Sequence, residues 1–81
     1  MTLKIISAES VLFEGEVSSV TLPGQMGAFT VLRNHASLIS TLVAGKIAYT
    51  VGDTAESRVE ELDIDGGIAD VDNNVVSVCL Y

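Results

Sequence analysis

Apolar and polar positions alternate along most of this chain, in short runs. "KIAYTV" puts Ile47, Tyr49 and Val51 on one side of an extended segment, and "VVSVCLY" puts Val76, Val78 and Leu80 on one side and Cys79 on the other. "RVEELDID" alternates less cleanly, yet Leu62 and Ile64 share a face. Turn-forming residues separate the runs: Gly15, Pro23-Gly24, the "NHA" of Asn34–Ala36, Gly45, Gly52-Asp53, Gly66-Gly67 and Asn73-Asn74. Proline fixes φ and a following glycine is free to take positive φ, so Pro23-Gly24 is expected to be a turn. The signals recur about every 8–12 residues, and no segment carries apolar residues at helical spacing. That pattern predicts an all-β sandwich or barrel. There is no internal repeat, linker or low-complexity segment.

Size narrows the picture. Eighty-one residues make one domain, and a chain this short buries only about 60–65% of its unfolded surface. With 48% hydrophobic residues and only Phe13, Phe29, Tyr49 and Tyr81 aromatic, Val, Ile and Leu must build the core. The apolar runs fall far short of the roughly 20 residues that span a bilayer, and no leader pattern opens the chain. One cysteine, Cys79, makes no internal disulfide and fits a reducing compartment.

Charge excludes one class of partner. Four Lys and Arg stand against eleven Asp and Glu, and such a surface repels phosphate backbones, so nucleic acid is not an expected partner. The acids between Glu60 and Asp72 read as solvated outward positions of strands. Asp63, Asp65, Asp70 and Asp72 do not have the spacing of a calcium loop.

The candidate chemistry is thin. His35 is the only imidazole and Cys79 the only thiol, which leaves no nucleophile–base–orienter set and no zinc site. Gly24 and Gly27 match neither "GxxxxGK[ST]" nor "GxGxxG". No catalytic residue, metal or cofactor is therefore expected. His35 is expected to tie loop backbone groups together or to face a partner.

The stretch "LPGQMGAFTVLRNHASLISTLVAGKIAY" resembles the signature of the epsilon subunit of F-type ATP synthases (delta in mitochondrial naming): a "PG-x-x-G" turn, a strand, a His-Ala pair, a Leu-rich strand and "G-x-[IV]". "LKIISAESVLFEGEVSSVTLPG" is similar to the family's opening, and "DIDGGIADVDNNVVSVCLY" to its closing double-glycine strand pair. Arg33 stands where many members have proline, Ser37 replaces a second proline, and Ala28 occupies a position acidic in some members.

The resemblance implies a ten-stranded sandwich of two five-stranded sheets over residues 1–81, without the C-terminal helical hairpin of longer members. It implies a central-stalk rotor subunit that couples the gamma shaft to the membrane c ring of a proton-translocating enzyme. Gln25, Met26, Gly27, Ala28 and Phe29 match the family's c-ring contact, and Ser7, His35 and Ser40 match its gamma-facing positions. The expected location is the cytoplasmic face of the bacterial inner membrane, peripheral and held only through the complex. Isolated, the chain is expected to be a monomer or weak dimer, and to bind no ATP without the helices. A free-standing acidic sandwich serving as adaptor or ligand-binding module is the alternative.

Overall fold

β-Branched and aromatic residues on alternate positions favour extended backbone that is buried on one side, and the chain forms nothing but strands and turns among its described residues. The computed structural model describes residues 1–52 and 56–81; Asp53 of the expected Gly52-Asp53 turn lies outside them. The strands are β1 (Thr2–Ile6), β2 (Val11–Glu16), β3 (Ser19–Gly24), β4 (Gly27–Leu32), β5 (Leu38–Val51), β6 (Arg58–Asp72) and β7 (Val75–Leu80). They make one hydrogen-bonded sheet in the order β2-β1-β7-β6-β5-β3-β4. Every neighbouring pair is antiparallel except β1 and β7, which run parallel with Thr2 opposite Val75 and Ile6 opposite Cys79.

There are seven strands where the family resemblance implies ten. Gly45 does not end a strand, and neither does Gly66-Gly67: β5 runs through the first for 14 residues and β6 through the second for 15. What changes at these glycines is the side that faces inward. In β5 the inward positions are Leu38, Ser40 and Leu42 before the change and Ile47, Tyr49 and Val51 after it. In β6 they are Glu60, Leu62 and Ile64, then Gly67, Ala69 and Val71. The two strands stay in register through the change, with Leu42 opposite Gly67 and Ile47 opposite Leu62. A shared bend of this kind is how strands cross from one layer of a sandwich to the other. The sheet thus folds over into one layer of β2, β1, β7 and the adjoining halves of β6 and β5, and a second of their other halves with β3 and β4.

The core between the layers is a single cluster. Leu3 and Ile5 of β1, Val76 and Val78 of β7, and Val20 and Leu22 of β3 are fully buried, and no polar or charged residue is buried among the described residues. Burial pushes the Tyr49 phenol above its ordinary pKa, and the nearby Glu60 adds to the rise.

Candidate functional site

The Pro23-Gly24 pair is not the turn the sequence suggests. Both residues belong to β3, opposite Ala28 and Gly27 of β4, and the two-residue loop is Gln25-Met26. Neither loop residue has positive φ; that conformation falls on Gly27, at φ 122°, just after them. A side chain there would meet nothing within 4 Å, so the backbone alone calls for glycine.

Proline has instead shaped the strand. Without an N–H it cannot donate to a ladder, and the β3–β5 pairing skips from Thr21 to Gly24 around it. Beyond this gap the hairpin is tied to β5 again, by the Gly24–Leu42 pairing and by the Gln25 N–H donating to the Thr41 carbonyl at 2.9 Å.

The five residues Gln25 to Phe29 therefore form the end of one hairpin, and they point in different directions. Met26 is 99% exposed. Phe29 is half-buried, packed on the core with its ring against Gly24. Ala28 is exposed and contributes no polar group. In a protein of net charge −7, no charged residue occurs between Glu16 and Arg33. The hairpin is an uncharged projection from an acidic body.

Ser7, His35 and Ser40 are spread over the first layer. Ser7 follows the Ile6–Cys79 end of the parallel β1–β7 pair. His35 lies at the other end, beside the Asn73-Asn74 turn. There Asn34 N–H donates to Asn74 Oδ1 at 2.6 Å, Asn74 Nδ2 returns a bond to Asn34 Oδ1 at 2.9 Å, and the Ser37 hydroxyl donates to Asp72 at 2.7 Å. Asn34, Asn73 and Asn74 all have positive φ, which asparagine tolerates better than most residues. The His35 ring is exposed, with Nδ1 2.7 Å from the Ala36 carbonyl oxygen; a carbonyl only accepts, so Nδ1 carries the proton. Ser40 is half-buried on the inward side of β5, opposite Ala69.

The structure also shows a surface the sequence did not reveal. On the outer side of the first layer, Thr41, Ile68, Cys79, Ile6 and Val11 stand in one row across five strands. Ile39 and Val43 flank it on β5, and Ile39 is 75% exposed. Acids border the row toward the Asn74 end, with Asp70 and Asp72 on β6 and Glu14 and Glu16 on β2. The outer side of the second layer mixes hydroxyls with aliphatics: Thr21 and Thr30 share a hydrogen bond of 2.8 Å, Ser19 donates to Thr50 at 3.1 Å, and Leu32 and Val59 beside this pair are exposed. Ile39 and Ile68 read as core by hydrophobicity alone. Only the change of face at Gly45 and Gly66-Gly67 turns them outward.

Among the described residues no three His, Cys, Asp or Glu side chains gather as a metal site, and no helix is long and apolar enough to cross a membrane.

Comparison with known proteins agrees with this geometry. Residues 1–80 match the family described as ATP synthase, Delta/Epsilon chain, beta-sandwich domain. Among curated relatives, the ATP synthase epsilon chain of Leptospira borgpetersenii is 35% identical over 78 residues, and that of Campylobacter jejuni subsp. doylei 41% identical over 78. Each alignment covers 96% of this chain and 58% of the relative, so the chain spans little more than half the length of these relatives. A chain in the Euglena gracilis mitochondrial ATP synthase structure (OSCP/F1/c-ring) superposes with a TM-score of 0.84 at 21% identity, over 96% of this chain and 48% of that one. One from the Tetrahymena thermophila mitochondrial ATP synthase central stalk and c ring superposes with a TM-score of 0.80 at 12% identity, covering 99% and 62%. At such identities these two speak to the fold.

Proposed function

This chain belongs to the ATP synthase delta/epsilon-chain family, as its beta-sandwich domain, and from that premise we propose that it couples the gamma shaft to the c ring of a proton-translocating enzyme. The observation that carries the reading is the β3–β4 hairpin: an uncharged projection on an acidic domain, with a fully exposed methionine at its tip. A flexible thioether suits a contact that must fit itself to the shape of a partner surface. Gln25–Phe29 is the foot on the c ring, with Met26 as its outward anchor and Phe29 as its inward one.

Gamma docks on the first layer. Ser7 and His35 lie at opposite ends of that layer, and the apolar row through Ile68 lies between them, so a partner spanning both covers the row. Such a partner buries the aliphatic side chains near Ser7 and meets Asp70 and Asp72 between the row and His35, where basic groups would complement them. The role is mechanical and non-catalytic: a sandwich braced by continuous β5 and β6 passes force between its two contacts with little deformation. The chain then sits at the membrane surface through the complex, on the cytoplasmic face in a bacterium.

Co-purification tests the reading. Tagged chain expressed in its own cell is expected to bring down a gamma-type subunit in equal amounts. A different, non-ATPase partner in stoichiometric yield would defeat it and favour the free-standing adaptor.

A further inference from the structure

Two glycine-containing motifs far apart in the sequence meet in space. Pro23 on β3 and Gly45 on β5 lie across the gap in the β3–β5 ladder, and a Cβ built on Gly45 would stand 2.9 Å from the Pro23 Cβ and 3.4 Å from its Cγ. Those atoms belong to a closed ring and cannot swing aside. A side chain at position 45 is therefore accommodated only by moving one backbone away from the other.

The place where this happens matters. Gly45 lies within the stretch where β5 changes its inward side, between Leu42 and Ile47. Pro23 lies between the two points at which the hairpin is fastened to β5, the Thr21–Ala48 pair below and the Gly24–Leu42 pair above. Three residues beyond Pro23 is Met26, in the two-residue loop that the end of β3 carries. A small displacement at the Pro23–Gly45 contact is carried to Met26 as a change in where the tip stands.

We propose that Pro23 and Gly45 form a positioning contact that sets the lean of the β3–β4 hairpin against β5, and so the position of Met26 relative to the c ring. The proposal rests on the reading of Gln25–Phe29 as the foot. Glycine at 45 is required by the proline ring at 23, a relationship between the two residues and not a property of either alone. Gly45 has no positive φ, so conformational freedom is not the reason for it.

The test uses the assembled ATP synthase and the isolated chain with Gly45→Ala, Pro23→Gly, and that pair combined. Gly45→Ala is expected to lower ATP-driven proton pumping at least fivefold while ATP hydrolysis changes less than twofold. In the isolated chain it is expected to shift the amide resonances of Gln25, Met26 and Gly27. Adding Pro23→Gly removes the opposing atoms, and is expected to return pumping to at least half of its original rate and the amide shifts toward their starting values. Adding Pro23→Ala, which keeps the Cβ, is expected to restore less. If Gly45→Ala does not fold, the same pairing is read in folding: rescue by Pro23→Gly exceeding that by Pro23→Ala supports the contact, and equal or absent rescue overturns it. Met26→Asp separates the two levels of the argument. Pumping lost in Met26→Asp but untouched by Gly45→Ala overturns the positioning contact alone; pumping intact in both overturns the foot itself.

Discussion

The ring of Phe13 lies 4.4 Å from the ring of Tyr49, centroid to centroid, with the planes tilted by 43°. Phe13 is on β2, at one edge of the sheet, and Tyr49 is on the second half of β5, four strands away in the hydrogen-bonded order. Only folding of the sheet over itself brings them together, so the pair reports closure of the two layers. Phe13→Ala is expected to cost about 2–4 kcal/mol, toward the lower end of large-to-small core changes because Phe13 is half-buried. A double-mutant cycle with Tyr49→Ala is expected to return a coupling of about 0.5–1.5 kcal/mol, measured by urea denaturation.

The hairpin tip separates folding from coupling. Met26→Asp replaces a side chain that is 99% exposed, and the isolated chain is expected to change in stability by no more than about 0.5 kcal/mol. Against a partner the same charge is unpaired and desolvated, so proton pumping in the assembled enzyme is expected to fall far more than ATP hydrolysis. Gly27→Val is expected to damage both folding and coupling. Its φ of 122° is closed to a β-branched residue, and destabilisation of about 1–3 kcal/mol should appear in thermal melts of the chain alone.

The two outer faces are expected to respond differently to charge. Ile68→Glu, in the apolar row, should leave the chain folded, since Ile68 is already 47% exposed. It should weaken capture of gamma at least tenfold. Thr30→Glu, exposed on β4, should leave capture of gamma within twofold. Equal binding by both variants would move the gamma contact off the first layer.

Glu16 gives the acid dependence a direction. The Thr2 hydroxyl donates to its carboxylate at 2.8 Å and the Met1 amino group lies 3.1 Å away; the first of these, then the second, lowers its pKa below the ordinary carboxylate value. A lowered folded pKa means that this contribution to stability is complete above the unfolded value, about 4.3, and is lost as pH falls through the folded one. Denaturation midpoints at pH 7 and pH 3 are expected to draw closer together in Glu16→Gln than in the parent chain. The change should be small, because the carboxylate is exposed to solvent.

Much of this architecture was legible residue by residue. Alternation placed Ile47, Tyr49 and Val51 inward and Cys79 opposite Val76 and Val78, as found, because each of those segments is buried on one side only. Glycine misled where it marks a bend instead of a stop. Gly45 and Gly66-Gly67 interrupt the alternation as a turn does, but the ladder between β5 and β6 continues through them. Pro23-Gly24 misled for a related reason: a proline that breaks one ladder can remain in the other, and β3 has two neighbours. At the candidate site, the sequence located the hairpin end but not which of Met26 and Phe29 points out. That depends on the space above Gly24, which the Phe29 ring fills. The outward row through Ile68 was hidden altogether, since an exposed isoleucine and a buried one read alike.

The parallel pairing of β1 with β7 sets an order in time. Residues 2–6 find one of their two neighbours only when residues 75–80 arrive. Until then the β1–β2 hairpin and the β3–β6 segment, ordered β6-β5-β3-β4, are two separate pieces, joined by a short connection, and neither closes the first layer alone. The β1–β7 pairing joins residues more than seventy positions apart, and contacts of such separation slow folding. Among domains of this size the chain is therefore expected to be a slow folder, with its final strand acting as the latch.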